Sequence, residues 1–487
     1  MNHEPGFSAR GLSRRSALRL AGTGGLVTAG GAMLGTVPAQ PAAAAPAAAA
    51  AAAIGNLTTP PTYAPSGRRP RHRRATWSQQ FQSGHGWSAA GTGTSSADAN
   101  DTSVFVRGTQ SVRVTTAGTG KQSYVRRLGG LATNLTGKAI RLVFRVEDTT
   151  DLSKLSFYLG SSSLANYFLW QFHTHSTTST NYVQSGEWVT VHLQWADVTS
   201  AFGTYSISSA GVPSTTTGFT DMSFAVYDNA GGPVTYHLQA VELIPDTASV
   251  FPKGVVSITF DDSHTSVHSL ARPVMDAYGF SGTVYNIADA IGAGDYLTLD
   301  QMHSLQDFSG WEMAGHSYAT SAHTASYSKL TAQQVDNDLR TLREWLVSHG
   351  FTSEHFAYPH GAFEKTTDGV PVDQIASRHF TTARSIISET IESFAPAMPY
   401  RLKALTGITD ASGIGGTAVA NLTAAGGRLD RCVNNGDWLI LCLHRVVDGT
   451  PTASTQIGRT GLETLMKAIS NRGIPVVTVA EAMAYYT

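Results

Sequence analysis

At 487 residues and 41% hydrophobic content, the chain exceeds what one hydrophobic core ordinarily serves, so two folded domains with extensions are expected. Charged residues make up only 14% and the formal net charge is -1, which leaves no electrostatic case for nucleic acid or an anionic membrane surface. A polar, weakly charged, hydroxyl-rich surface suits a neutral partner of similar chemistry, such as a polysaccharide.

Residues 1–45 read as an address. "SRRSALRLAGTGGLVTAGGAML" sets Arg14 and Arg15 ahead of a short, Gly-diluted apolar stretch, and "VPAQPAAAAPAAAA" follows with small-residue cleavage sites. The pattern is that of a twin-arginine export signal. A membrane anchor would need about 20 strongly apolar residues, and this stretch is shorter and broken by glycine. The expectation is a secreted or cell-envelope protein that keeps no integral membrane segment once the signal is removed.

Residues 46–74 are Ala-rich, then Pro- and Arg-rich ("PPTYAPSGRRPRHRR"), the composition of a flexible linker. From 75 to 247 the pattern becomes short alternating runs separated by Gly, Ser, Thr, Asn and Asp. "SVFVRG", "SVRVTT", "AIRLVFRVED", "KLSFYLG", "WVTVHLQW", "MSFAVYD" and "VTYHLQAVELI" read as strands of period two. They predict an all-β sandwich of jelly-roll-like type. The aromatics of "NYFLWQFHTH" and "GEWVTVHLQW" suit either its core or sugar stacking, so the module is a candidate carbohydrate binder.

Over 251–487 strands alternate with helices. "VVSITF", "SGTVYNI", "WEMAGH", "HFAYPHG", "HFTTARSI", "DWLILCLH" and "IPVVTVAE" read as strands, and "SVHSLARPVMDAYG", "LTLDQMHSLQDF" and "TAQQVDNDLRTLREWLVSHG" as helices. Such alternation predicts a parallel α/β sheet or barrel, whose chemistry gathers at the carboxyl ends of strands. Cys432 and Cys442 are too few for a disulfide framework; a single pair and two buried thiols are both open.

Along "VVSITFDD", Val256, Ile258 and Phe260 point one way, and Ser257, Thr259 and Asp261 the other. Asp261 and Asp262 would repel at a strand end unless something divides their roles. A divalent cation does so when one carboxylate coordinates it and the other stays free as a general base for water. Capping of the next helix by Asp262 or Ser263 is the alternative. His316 and His323 after one strand, and His444 after another, tip the balance, since a carboxylate with two histidines is a common set for zinc or a similar metal. His264, His268, His303, His349 and His355 lack such partners and read as surface or supporting residues.

These residues carry a family resemblance. "TFDD", "GHSYATSAH", "FAYPHGAF" and "LILCLH", in that order, resemble the motifs of the polysaccharide deacetylase (NodB homology) domain of carbohydrate esterase family 4, over roughly half the chain. The resemblance implies a distorted (β/α) barrel in which Asp261 is the base and Asp262, His316 and His323 bind a divalent metal, zinc first and cobalt second. It further implies that His444 protonates the leaving group, that Arg384 orients the base, and that Tyr358, Pro359 and the His360 backbone N–H serve the oxyanion and substrate.

This chain departs from the family pattern at three places. Ser263 stands where the family has Gly, His360 where it has Tyr, and Thr320 where it has the second histidine, which here comes three residues later as His323. On a continuous helix the seven residues from His316 to His323 would rise about 10 Å, so the segment must bulge or loop; His360 is a further candidate to reach the metal. The expected function is a secreted deacetylase of an N-acetylated polysaccharide. Removal of O-acetyl groups from xylan, or glycan binding by an inactive barrel, are the other readings.

Overall fold

The computed structural model describes residues 54, 57–67, 73–174, 182–193, 208–211, 217–246, 251–387, 392 and 396–487. The export signal read over 1–45 lies outside them. Among the described residues, no helix is long and apolar enough to cross a membrane.

From Trp77 to Pro245 the described strands form two six-stranded sheets and a short two-stranded ribbon. One sheet runs Glu187–Leu193, Lys138–Val146, Thr235–Pro245, Ser111–Thr116, Thr94–Asp101, with Trp77–Gln79 also paired to Thr235–Pro245. The other runs Ser208–Ala210, Asn166–Thr174, Leu152–Ser161, Asp221–Asp228, Gln122–Arg127, Ser88–Ala90. All these pairings are antiparallel. Period-two alternation turns Phe144 and Tyr236 of the first sheet toward Phe224 of the second, with ring centroids 5.3 and 5.8 Å apart, so the two inner faces share one core. Phe168 and Trp170 are buried, which assigns them to packing.

"SVFVRG" is not a strand. The Gln239 side chain takes the Val106 and Arg107 N–H groups at 2.9 and 3.3 Å, and Ser111 Oγ donates to the Val104 carbonyl at 2.6 Å, so side chains hold the backbone that a ladder would otherwise use. The strand Thr94–Asp101 was not foreseen, because "TSSADAND" has no apolar alternation and lies at a sheet edge.

Beyond Phe251, six strands pair in parallel in the order Thr382–Arg384, His355–Ala357, Glu312–Ser317, Thr283–Ile287, Val255–Phe260, Trp438–Leu443. Each reads as a near-continuous buried run because both faces are covered. Val256, Ile258 and Phe260 pack among the helices; Val255, Tyr285, Trp438 and Cys442 form an inner cluster. Segment 402–405 links the two edge strands, Leu402 bridging Arg384 and Leu405 bridging Leu441, both in parallel. The helix Ala332–Ser348 starts with a Thr331/Gln334 capping box and lays Val335, Leu339, Leu342 and Leu346 inward. Gly315 admits that packing: a Cβ there would meet Leu342 Cδ2 at 2.8 Å.

Two expectations change. "IPVVTVAE" keeps a single bridge, Val476 to Val256, and then becomes the helix Val479–Tyr486, because Thr478 and Glu481 form a capping box that outweighs the β-branched run. The described part of the 46–74 linker is docked onto the domain: Leu57 is buried in the core, Arg378 donates to the Leu57 and Thr59 carbonyls, and Ser66 N–H donates to Glu354 Oε2 at 2.9 Å. Its Pro-rich backbone has carbonyls to offer, and Arg378 supplies the donors.

Candidate functional site

The strand Val255–Phe260 carries Ser257 and Thr259 on its inner face, and the next residue on that face is Asp261. The Asp261 N–H donates to the Leu443 carbonyl at 2.9 Å, which extends the ladder one residue past the strand and fixes the side chain's origin. Arg384 Nη2 lies 2.6 Å from both Asp261 oxygens, and Cys442 Sγ donates to Oδ2 at 3.4 Å. The guanidinium rests 5.0 Å above the Tyr285 ring. Burial alone would neutralise Asp261, but Arg384, His316 and His444 outweigh it and hold the carboxyl below its usual range. Burial pushes the Cys442 thiol up to about 12, so it stays protonated and able to donate.

Asp262 and Ser263 both take left-handed backbone, φ 69° and 57°, so the chain turns sharply and the adjacent carboxylates leave in different directions. Ser263 compensates for the missing glycine with hydrogen bonds. Its Oγ donates to Asn286 Oδ1 at 3.2 Å and accepts from Ile287 N–H at 3.0 Å, and its carbonyl accepts from Leu297 N–H at 2.8 Å. Asp262 Oδ1 ends 3.1 Å from His323 Nε2 and 3.6 Å from His316 Nε2. Its burial is outweighed by the His323 hydrogen bond and by the His316 and His444 charges, which keep it ionised well below the usual carboxylate range.

His316 is the penultimate residue of the strand Glu312–Ser317, and His323 sits in the helix Thr320–Ala325. The segment therefore breaks, and the seven-residue spacing closes to 4.8 Å between ring centroids. Asp338 makes the turn by accepting the Tyr318 and Ala319 N–H groups at 2.9 and 3.0 Å. Asp289 Oδ1 starts the helix by accepting Thr320 N–H and Oγ–H at 2.8 and 2.5 Å, which also removes Thr320 as a ligand. His316 donates from Nδ1 to the Ala357 carbonyl at 2.7 Å, leaving Nε2 to face Asp262. Burial, only partly offset by Asp261, pushes His316 down to about 4.

Pro359–Gly361 forms one tight turn with His360 at φ 56°. His360 Nε2 donates to the His323 carbonyl at 3.0 Å, so this ring braces the His323 helix and falls outside the donor cluster. Tyr358 points away from the site: its ring is buried and its hydroxyl donates to the Tyr400 carbonyl at 2.9 Å, which corrects its expected place beside the substrate. His444 follows the strand Trp438–Leu443, with a ring nitrogen within 4.8 Å of an Asp261 oxygen and of Cys442 Sγ. Among the described residues its Nδ1 has no hydrogen-bond partner.

His264 has partners after all. It stacks on Tyr296, accepts from Arg445 Nη2 at 3.3 Å on Nδ1, and lies 3.9 Å from Asp262 Oδ2. His355 is buried and bonded to Thr382 Oγ1 at 2.7 Å, not a surface residue. Cys442 and Asp289 were missed. Cys442 shares the inward face of "LILCLH" with His444, a signal present in the alternation; nothing local marked Asp289. Both cysteines are free and buried, which settles the pairing.

The ligand atoms of Asp262, His316 and His323 lie within 4.8 Å of one another. A tetrahedral ion with bonds of about 2 Å needs its ligands roughly 3.3 Å apart, and the carboxylate-to-imidazole spacings of 3.1 and 3.6 Å suit it. The donor set therefore fits a divalent transition metal.

Residues 248–374 match the family model described as polysaccharide deacetylase. No curated protein matches the chain. Similar solved structures include the Xyl-CE4 domain of a multidomain xylanase from the hindgut metagenome of Trinervitermes trinervoides, 19% identical over 48% of this chain and 90% of that one, TM-score 0.30. A family 4 acetyl xylan esterase from Clostridium thermocellum in complex with a cobalt ion is 18% identical over 47% and 90%, TM-score 0.30. A family 4 carbohydrate esterase from Streptomyces lividans in complex with acetate is 16% identical over 46% and 91%, TM-score 0.27. The stretch that matches the polysaccharide deacetylase family model, residues 248–374, is the one that holds the two aspartates and the histidine pair.

Proposed function

We propose that this protein is an exported, divalent-metal-dependent deacetylase that hydrolyses the N-acetyl groups of an amino-sugar polysaccharide of chitin, poly-N-acetylglucosamine or peptidoglycan type. The observation that carries the reading is the division of two adjacent aspartates. Asp261 is gripped by Arg384, and Asp262 faces His316 and His323. Export rests on the Arg14/Arg15 segment. The distorted (β/α) barrel rests on the six parallel strands and the 402–405 link between the outer two. The two antiparallel sheets before it support a jelly-roll-like sandwich; its half-buried Tyr158 and Tyr167, 5.2 Å apart, support a role in sugar stacking.

Asp262, His316 and His323 would hold the ion, zinc or cobalt, which when bound supplies a Lewis acid that polarises the acetyl carbonyl and acidifies water. Asp261 is ionised at neutral pH and takes a proton from the attacking water as the water oxygen bonds to the acyl carbon. Arg384 and Cys442 keep its oxygens in place. The His360 N–H lies in the first turn after Pro359, where no intrahelical acceptor exists, and is a donor for the oxyanion. His444 gives its proton to the amine as the carbon–nitrogen bond breaks, and acetate leaves.

The test is acetate release from chitin oligomers, poly-N-acetylglucosamine, peptidoglycan and acetylxylan, with and without a chelator. Release from an N-acetylated substrate that stops with the chelator is expected. Release from acetylxylan alone would make the enzyme an ester hydrolase. No acetate from any glycan after zinc or cobalt loading, with glycan binding retained, would make it a binding protein.

A further inference from the structure

Arg401 is 1% exposed and stands where the sandwich meets the parallel-strand domain. From the sandwich, Glu187 pairs with Nη2 and the Tyr182 carbonyl accepts from Nη1 at 2.9 Å. From the other side, Asp373 Oδ2 accepts from Nε at 3.0 Å and from Nη2 at 2.7 Å. The guanidinium lies 4.7 Å above the Phe363 ring. Two further contacts join the same surfaces: Lys365 Nζ donates to the Ser185 carbonyl at 3.3 Å, and Lys403 Nζ lies 5.1 Å above the Tyr182 ring.

The flanking residues connect this anchor to the site. The Tyr400 carbonyl holds the Tyr358 hydroxyl, at the root of the turn that carries His360. Leu402 accepts from Ser385 N–H at 2.9 Å and donates to the Ala383 carbonyl at 3.0 Å, flanking Arg384, which grips Asp261. Three consecutive residues thus tie the sandwich, the Tyr358–Phe363 loop and the Arg384 strand together.

We propose that Arg401 is a positioning residue for the deacetylation site, and that the sandwich segment Tyr182–Glu187, by anchoring it, is a fixed part of the active-site framework. The kinetic half of this proposal rests on the deacetylase reading above; the structural half does not.

The test uses the full chain with Glu187→Gln and Arg401→Lys. Arg378→Ala serves as a control, because Arg378 bonds Asp336 and the linker carbonyls and touches neither the loop nor the sandwich segment. Hydrogen exchange of the Gly361 and Ala362 amides, which donate to the Tyr358 and Pro359 carbonyls, should quicken about tenfold in the first two variants and not in the control. The kcat for acetate release should fall about tenfold with KM within about twofold. Unchanged exchange in both variants would overturn the proposal whatever the activity, and so would an equal loss of kcat in Arg378→Ala. Quickened exchange in the two variants, alongside a wild type that releases no acetate, would instead uphold the positioning and sink the deacetylase reading.

Discussion

Asp261 and Asp262 share a backbone turn and almost nothing else. One is buried against a cation that holds both its oxygens, and the other keeps an oxygen 3.1 Å from His323. Replacing Asp261 by Asn should therefore lower acetate release by about 10²- to 10⁴-fold. Metal content, read by elemental analysis, should remain near one ion per chain. Asp262→Asn should lose the metal itself. Metal loss in the Asp261 variant would mean the roles are reversed. This pair was legible because strand parity and the order of short motifs both pointed to it. Cys442 was not, because a lone cysteine reads as a small apolar residue until a neighbouring strand brings a carboxylate to it.

At the scale of an element, the helix Thr320–Ala325 shows how spacing alone misleads. A rule of four residues would have chosen Thr320; the structure spends that residue on Asp289 and delivers His323 from the following turn. Neither Asp289 nor Asp338 belongs to a motif, and they act from 31 and about 20 residues away. No local pattern could have named them. Asp289→Ala should release the first turn of the helix, a cap worth about 0.5–2 kcal/mol, and loosen the hold on His323. Affinity for zinc or cobalt, measured by calorimetry on the full chain, should weaken about 10- to 100-fold. Unchanged affinity would show that His323 is held by packing alone. The same contrast runs through the strands: "VVSITF" and "LILCLH" announce themselves by buried runs, whereas "TVAE" became a helix start because two side chains satisfied its first amides.

Across the whole molecule, the two kinds of periodicity separated an all-β half from an alternating half, but composition marked residues 46–74 only as a flexible linker and gave no sign of how the halves are joined. Arg401, Lys365 and Lys403 bridge them, and described residues of the linker lie along the second. Acid should expose that coupling. In the sandwich, His237 is buried between Glu147 Oε1 at 2.9 Å and Asp101 Oδ2 at 3.2 Å. The His237 hydrogen bond, helped by Arg145 and opposed by burial, lowers Glu147 from 4.5 to about 2. A carboxylate depressed in the folded state stabilises it fully above the unfolded value and loses that stabilisation as pH falls toward the folded one. The window here is therefore pH 4.5 down to about 2. Above it, Glu147→Gln should melt at a lower temperature than the wild type. Within it, the difference should shrink, because the wild type is losing what the variant never had. The measurement is the melting temperature of both proteins across that range, followed once by sandwich tryptophan fluorescence and once by exchange at Gly361. The two probes should move together if the sandwich braces the catalytic loop. A melting difference that stays constant with pH would remove Glu147 from the account of acid stability, and a Gly361 signal that ignores the sandwich transition would show that the halves unfold independently.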